Sequence, residues 1–135
     1  MIQMRTRPVG RAHFRDYLKR AEECLHALQM AYEHDEWNAC VINAIHCMIA
    51  AADAFCVYRL GTRHAGERHD DAVALFASSD PSSEEVKANA RRLSRVLGVK
   101  NNAEYGEKLM GRKDAEEAKR DAERFVAFVK SRTEK

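Results

Sequence analysis

Residues 36–60 read EWNACVINAIHCMIAAADAFCVYRL. Val41, Ile45, Met48, Ala52 and Phe55 recur at alternating spacings of four and three, which places them along one face of an α-helix. A second stripe of Ile42, Ile49 and Cys56 widens the apolar arc. On a further side lie the small residues Cys40, Cys47, Ala51 and Ala54, which let another backbone approach closely. A helix coated on so many sides is either the centre of a bundle or buried in a dimer. Gly61 is placed to end it, because glycine adopts the left-handed conformation that closes helices. The most apolar part, Cys47–Tyr58, is expected to be too short to cross a bilayer and is interrupted by Asp53.

Upstream, an arginine-bearing lead (Arg5, Arg7, Arg11) precedes Phe14, Leu18, Ala21, Leu25, Leu28 and Tyr32, whose spacing predicts a helix over about residues 11–33. Asp35 is the expected N-cap of the helix that follows. Downstream, a basic turn, Gly61–Gly66, leads into a short helix from His69 to about Ala77. Asp80 as cap, with Pro81 at the first helical position, predicts another helix to about Leu97. Its apolar side is Val86, Ala90, Leu93 and Leu97, with Lys87, Arg91 and Arg95 opposite. Gly98–Gly111 reads as irregular. The last helix, about Lys113–Arg132, buries Ala115, Ala118, Ala122, Phe125, Val126 and Val129. No strand-like alternation is visible. The expected fold is all-α, an up-and-down four-helix bundle with an extra short helix, in one domain over residues 1–135 with its core at about 11–132.

Composition narrows the function classes. With 135 residues the chain can bury one core but not two. The formal net charge of +2 is too small for a globally basic nucleic-acid binder, so an anion-binding surface has to be local. Met1–Gly10 lacks the apolar run of a secretory signal. Cys24, Cys40, Cys47 and Cys56 sit within apolar helical patterns and lack Cys-x-x-Cys spacing, which points to reduced thiols and a cytoplasmic location.

No two of the histidines and cysteines fall three or four residues apart, so no metal site and no metal cofactor are expected. The cysteines lack a thiolate-stabilising setting and read as core residues rather than nucleophiles. Three polar patterns remain. Asn43, His46 and Asp53 run along one side of the apolar helix. His46 and Asp53 are about 10.5 Å apart along the axis, so each needs a partner from another helix, another subunit or water. The basic turn and following helix start carry Arg59, Arg63, His64, Arg68 and His69. Arginine beside histidine can serve metal-free RNA cleavage, the imidazole moving protons while the guanidinium holds the phosphate. Finally, Lys87, Arg91, Arg92, Arg95 and Lys100 lie in a stretch, residues 87–102, with no acidic residue. That stretch either attracts phosphates or pairs with Glu116, Glu117 and Glu123 of the last helix.

Taken in order, ACVINAIHCMIAAADA (residues 39–54), GTRHAGERHDDAVALF (61–76), KNNAEYG (100–106) and DAEEAKRDAERFVAFV (114–129) resemble the HEPN family, the higher eukaryotes and prokaryotes nucleotide-binding domain. The resemblance implies a helical bundle that often dimerises. It also implies one of two activities: a non-catalytic nucleotide- or RNA-binding module, or a metal-independent ribonuclease toxin paired with a nucleotidyltransferase-type antitoxin. The family's ribonucleases carry an arginine, four to six residues, then a histidine. Arg63 and His69, with five residues between, and Arg59 and His64, with four, meet that count. The family's motif usually lies later in the chain, where this sequence has Lys100–Tyr105 and no histidine. The expected function is therefore binding without catalysis, in a toxin–antitoxin or defence setting. Arg63, His69, Lys100, Asn101 and Tyr105 would line a groove, with Arg91 and Arg95 adding charge. The alternatives are a ribonuclease using His69 as acid/base and Arg63 as phosphate clamp, and a structural dimerisation module. A homodimer is expected through the small-residue and polar side bearing Asn43, His46 and Asp53, with no cofactor and no membrane partner.

Overall fold

A computed structural model describes residues 5–133. The expectations for a leader segment and for a domain spanning 1–135 extend in part to residues 1–4 and 134–135, outside that range. In chain order the elements are β1 (Thr6–Pro8), a single 3-10 turn (Arg11–His13), α1 (Phe14–Glu33), α2 (Trp37–Leu60), β2 (Thr62–His64), α3 (His69–Ser78), α4 (Glu84–Gly98), α5 (Lys100–Tyr105) and α6 (Arg112–Thr133). The fold is all-α, as expected. α1, α2, α4 and α6 are its four long helices.

α2 is the axis of the core. All five residues of its main stripe are buried. So are the small residues Cys40, Cys47, Ala51 and Ala54, each fully enclosed within this chain. The Cys47 thiol donates to the Ala21 carbonyl of α1 at 3.2 Å, and that of Cys40 lies 3.9 Å from the Ala115 carbonyl of α6. Alanines on the facing helices, Ala21, Ala115 and Ala122, are likewise buried, so small residues meet small residues and the backbones close up. This corrects one part of the expected dimer surface: the small-residue side of α2 is already covered by α1 and α6. Phe55 meets Phe76 of α3 and Phe128 of α6 at 5.4 Å each, and Phe76 meets Phe125 at 5.0 Å, so one aromatic cluster joins three helices.

α2 is also continuous through Asp53. By length and composition it could cross a membrane, contrary to the expectation from Cys47–Tyr58 alone, but 67% of its most apolar window is buried against the rest of the protein.

Several boundaries depart from expectation for local reasons. Asp35 adopts a left-handed conformation (φ 60°), so Glu36 takes the cap position of α2. α4 is capped by Ser83, whose hydroxyl accepts from the Val86 amide at 3.2 Å. Asp80 instead accepts from Arg132 at 2.8 Å and faces Arg59 at 3.7 Å, tying the α3–α4 connection to the ends of α6 and α2.

Residues 98–111 are not irregular throughout but hold α5. Asn38 of α2 holds this segment at two points, donating to the Ala103 carbonyl (3.0 Å) and accepting from the Met110 amide (3.2 Å). Gly106 follows α5 because a Cβ there would lie 2.5 Å from the Asn102 carbonyl oxygen. Two strands, also unexpected, pair antiparallel with Arg7 opposite Arg63. They are held by backbone hydrogen bonds and not by an apolar face, which is why no alternation announces them.

Candidate functional site

α2 ends at Gly61 in the left-handed conformation (φ 66°), its amide bonded to the Val57 carbonyl at 3.0 Å. The chain then reverses into β2. There the ladder to β1 is extended by Val9 donating to the Gly61 carbonyl and Ala65 donating to the Arg5 carbonyl, 3.0 Å each. This clamp fixes Arg63 and His64 beside α2 and aims the following turn at the start of α3. On the far side, Asn38 fixes α5 and with it Lys100 and Asn101. Between them lies a cavity of about 830 Å³, bounded by α2, β2, the first turns of α3, the inner face of α4 and the start of α5.

Arg63, His69, Lys100, Asn101 and Asp53 all line this cavity, joined by His64 and Arg68. Five of the sequence-predicted residues, drawn from three separate patterns, therefore share one site. The others lie elsewhere. Arg95 is committed to the buried Asp121 of α6 through two hydrogen bonds, at 2.9 and 3.3 Å, and edges a second, smaller cavity of about 380 Å³. That carboxylate also raises the Arg95 pKa, chiefly by hydrogen bonding. Arg91 is exposed on α4 outside the large cavity, and Tyr105 is 81% exposed at the end of α5 without lining it. The polar line of α2 is split three ways. Asn43 bonds to the Ala39 carbonyl of its own helix (2.9 Å), His46 faces Glu104 of α5 (3.6 Å), and Asp53 alone reaches the cavity. Arg59, the other arginine of the Arg–His spacing, donates to the Ser79 carbonyl at 3.2 Å and takes no part in the cavity lining.

The electrostatics are mixed. Burial pushes the Asp53 carboxyl up to about 7, opposed by the fields of Arg63 and Arg20. Burial pushes the His64 imidazole below its ordinary value; Asp71 opposes this, while Arg63 and His69 reinforce it. His64 is therefore the neutral imidazole at pH 7. Arg63 is half-buried. Its Nη1 donates to the His64 carbonyl (3.1 Å), its Nε is buried without a partner among the described residues, and its Cζ lies 6.0 Å from the Tyr17 ring centre. His69, Arg68 and Lys100 make no hydrogen bond or ion pair with a described side chain, leaving their heads available at the rim. Glu67 and Asp70 share that rim with them.

Burial pushes the thiols of Cys47 and Cys56 up to about 12 and that of Cys40 up to about 11, so these three are packing groups and not nucleophiles. Among the described residues, no three His, Cys, Asp or Glu side chains are grouped to hold a metal ion.

Arg68 and His64 were seen in the sequence only as members of a basic turn, and Asn38 carried no signal at all. What selects them is where the turn and α5 come to rest. The sequence profile of the HEPN domain matches residues 14–132. Among curated proteins none matches the chain.

Proposed function

The chain belongs to the HEPN family, a nucleotide- and RNA-related domain, and from that premise we propose that it is a non-catalytic binding module. Its cavity takes a phosphate-bearing nucleotide, either free or within RNA. The observation that carries this reading is the convergence of Arg68 and His69 from one segment and Lys100 and Asn101 from another on one cavity of about 830 Å³. Its volume lies in the range of small-molecule and cofactor sites. Uncommitted cations at its rim supply charge-assisted hydrogen bonds to phosphate oxygens.

The reading as a non-catalytic module rests on Arg63. A phosphate clamp needs a guanidinium fork free to meet the substrate, whereas Arg63 is half-buried with Nη1 held by the His64 carbonyl. The second reading, a metal-independent ribonuclease, keeps one specific support: Arg63 and His69 line the same cavity at the family's spacing. A module serving only to self-associate keeps the polar side of α2 at His46 but loses the small-residue side to α1 and α6.

The two main readings separate in one experiment. A labelled oligoribonucleotide is incubated with the protein in EDTA, with binding followed by anisotropy at 50 and 200 mM salt and integrity by gel. We expect an intact strand and binding that weakens with salt. Arg68→Ala and Lys100→Ala should each weaken it about tenfold, the worth of one charge-assisted contact, while Arg91→Ala should leave it unchanged. Cleavage that disappears in Arg63→Ala and His69→Ala would establish the ribonuclease instead. Binding indifferent to Arg68 and Lys100 would remove the cavity from consideration.

A further inference from the structure

Asp53 lies in the second half of α2, half-buried, and lines the cavity. Its carboxyl makes no hydrogen bond or ion pair with any described residue. Arg63 and Arg20 act on it only through their fields. The carboxyl opens onto the cavity with its acceptor oxygens uncommitted to the protein, so a molecule bound there can donate to them. The cavity has an apolar part, where Ala52 and Cys56 on α2, Leu75 on α3, and Leu93 and Leu97 on α4 are all buried, and Arg63 and His64 of β2 line it as well. Arg68 and Asn101 are exposed, and His69 and Lys100 half-buried. The cavity therefore has a partly apolar floor that carries the Asp53 carboxyl, and a rim where Arg68 and Lys100 stand beside Glu67 and Asp70.

A ligand complementary to that arrangement has a flat ring with apolar faces, an edge that donates hydrogen bonds to a carboxylate, and a tethered anion. An ionised carboxylate has two oxygens and accepts two parallel donors. Guanine places two donors, N1–H and the 2-amino group, side by side on its pairing edge. Hypoxanthine keeps only the first, and adenine presents an acceptor where guanine has N1–H. We propose that Asp53 is a base-reading residue and that the cavity selects a guanine nucleotide, with the ring over the α4 leucines and the phosphate toward Arg68 and Lys100. This inference rests on the nucleotide-binding reading above and specifies its ligand.

The test is calorimetric titration at pH 8 with GMP, IMP, AMP and inorganic phosphate, on the parent protein and on Asp53→Asn. The parent should bind GMP at least tenfold more tightly than AMP, with IMP between them and inorganic phosphate weakest. Asparagine offers one acceptor and one donor, which match N1–H and the C2 carbonyl of xanthine. Asp53→Asn should therefore lose the GMP preference and bind xanthosine monophosphate more tightly than GMP. That gain cannot come from a misfolded variant. Equal affinity of the parent for GMP and AMP, or a GMP preference that survives in Asp53→Asn, overturns the base readout. If in that case Lys100→Ala still weakens both nucleotides about tenfold, nucleotide binding stands and only the selection by Asp53 falls. No binding of any nucleotide overturns both.

Discussion

Phe55→Ala should lower the free energy of unfolding by about 3–5 kcal/mol, the usual cost of emptying a large aromatic site in a core. Phe55 is fully buried and touches rings on two other helices, Phe76 of α3 and Phe128 of α6. Truncation removes the shared contact surface of three elements at once, and alanine-rich packing around α2 leaves little slack for neighbours to fill the space. For a chain of 135 residues that loss corresponds to a fall in the unfolding midpoint of about 10–18 °C. Leu109→Ala is the control. Leu109 is 75% exposed, and its removal should change stability by less than about 0.5 kcal/mol. Urea denaturation of both variants checks this, and a loss below about 1 kcal/mol for Phe55→Ala would contradict the aromatic cluster as the keystone of the core.

Asp53→Asn should stabilise the protein by about 2 kcal/mol at pH 8 and by almost nothing at pH 4. Burial raises the Asp53 carboxyl from an ordinary 3.8 to about 7, so between those values the folded chain holds a proton that the unfolded chain has lost. Stability contributed by this group is thus fully present below pH 4 and lost as pH rises toward 7. The full shift would correspond to about 4 kcal/mol. The carboxyl opens onto the cavity and keeps contact with water, which reduces the expected cost by about half. Asparagine never ionises and avoids it. Denaturation curves of parent and variant from pH 4 to pH 8 should diverge as pH rises. Parallel curves, or a variant less stable at pH 8, would show that the buried carboxylate is not a strained group. The same substitution is then the natural probe of ligand selection, since it weakens recognition without weakening the fold.

The bundle was readable because its signals are periodic and long. The 4/3 alternation in α1, α2 and α6 marks one face on each; those of α2 and α6 are buried, and that of α1 is buried except for Leu25 and Tyr32, which are half-buried. Short elements gave no such signal. α5 has six residues and one buried side chain, Ala103, and is fixed by a side chain, Asn38, distant in sequence. The two strands have three residues each and no buried face. The cap of α4 departs from expectation because Ser83, three residues on, takes the role, while Asp80 is engaged by Arg132.

The site was legible as residue types and not as a place. Arg63, His69, Lys100 and Asn101 were singled out from charge and resemblance, and the fold unites them. Arg91, Arg95 and Lys100 share one stretch of sequence without acidic residues, but Lys100 lies on α5, beyond the end of α4 at Gly98. In the structure these cations part, with Arg95 satisfying Asp121 and Lys100 lining the cavity. Asp53 is visible as a polar residue on an apolar helix, and only the arrival of β2, α3 and α4 around it makes it part of the cavity wall.

The central claim, that the cavity between β2, α3, α4 and α5 binds a nucleotide, is tested most directly by titrating isotope-labelled protein with GMP and following its amide resonances. The expected result is saturable shifts concentrated in residues 52–56, 63–70 and 97–101, with Arg91 and the α6 residues around Asp121 unmoved. Shifts centred on Arg95 and Asp121, or no saturable shift at all, would contradict it.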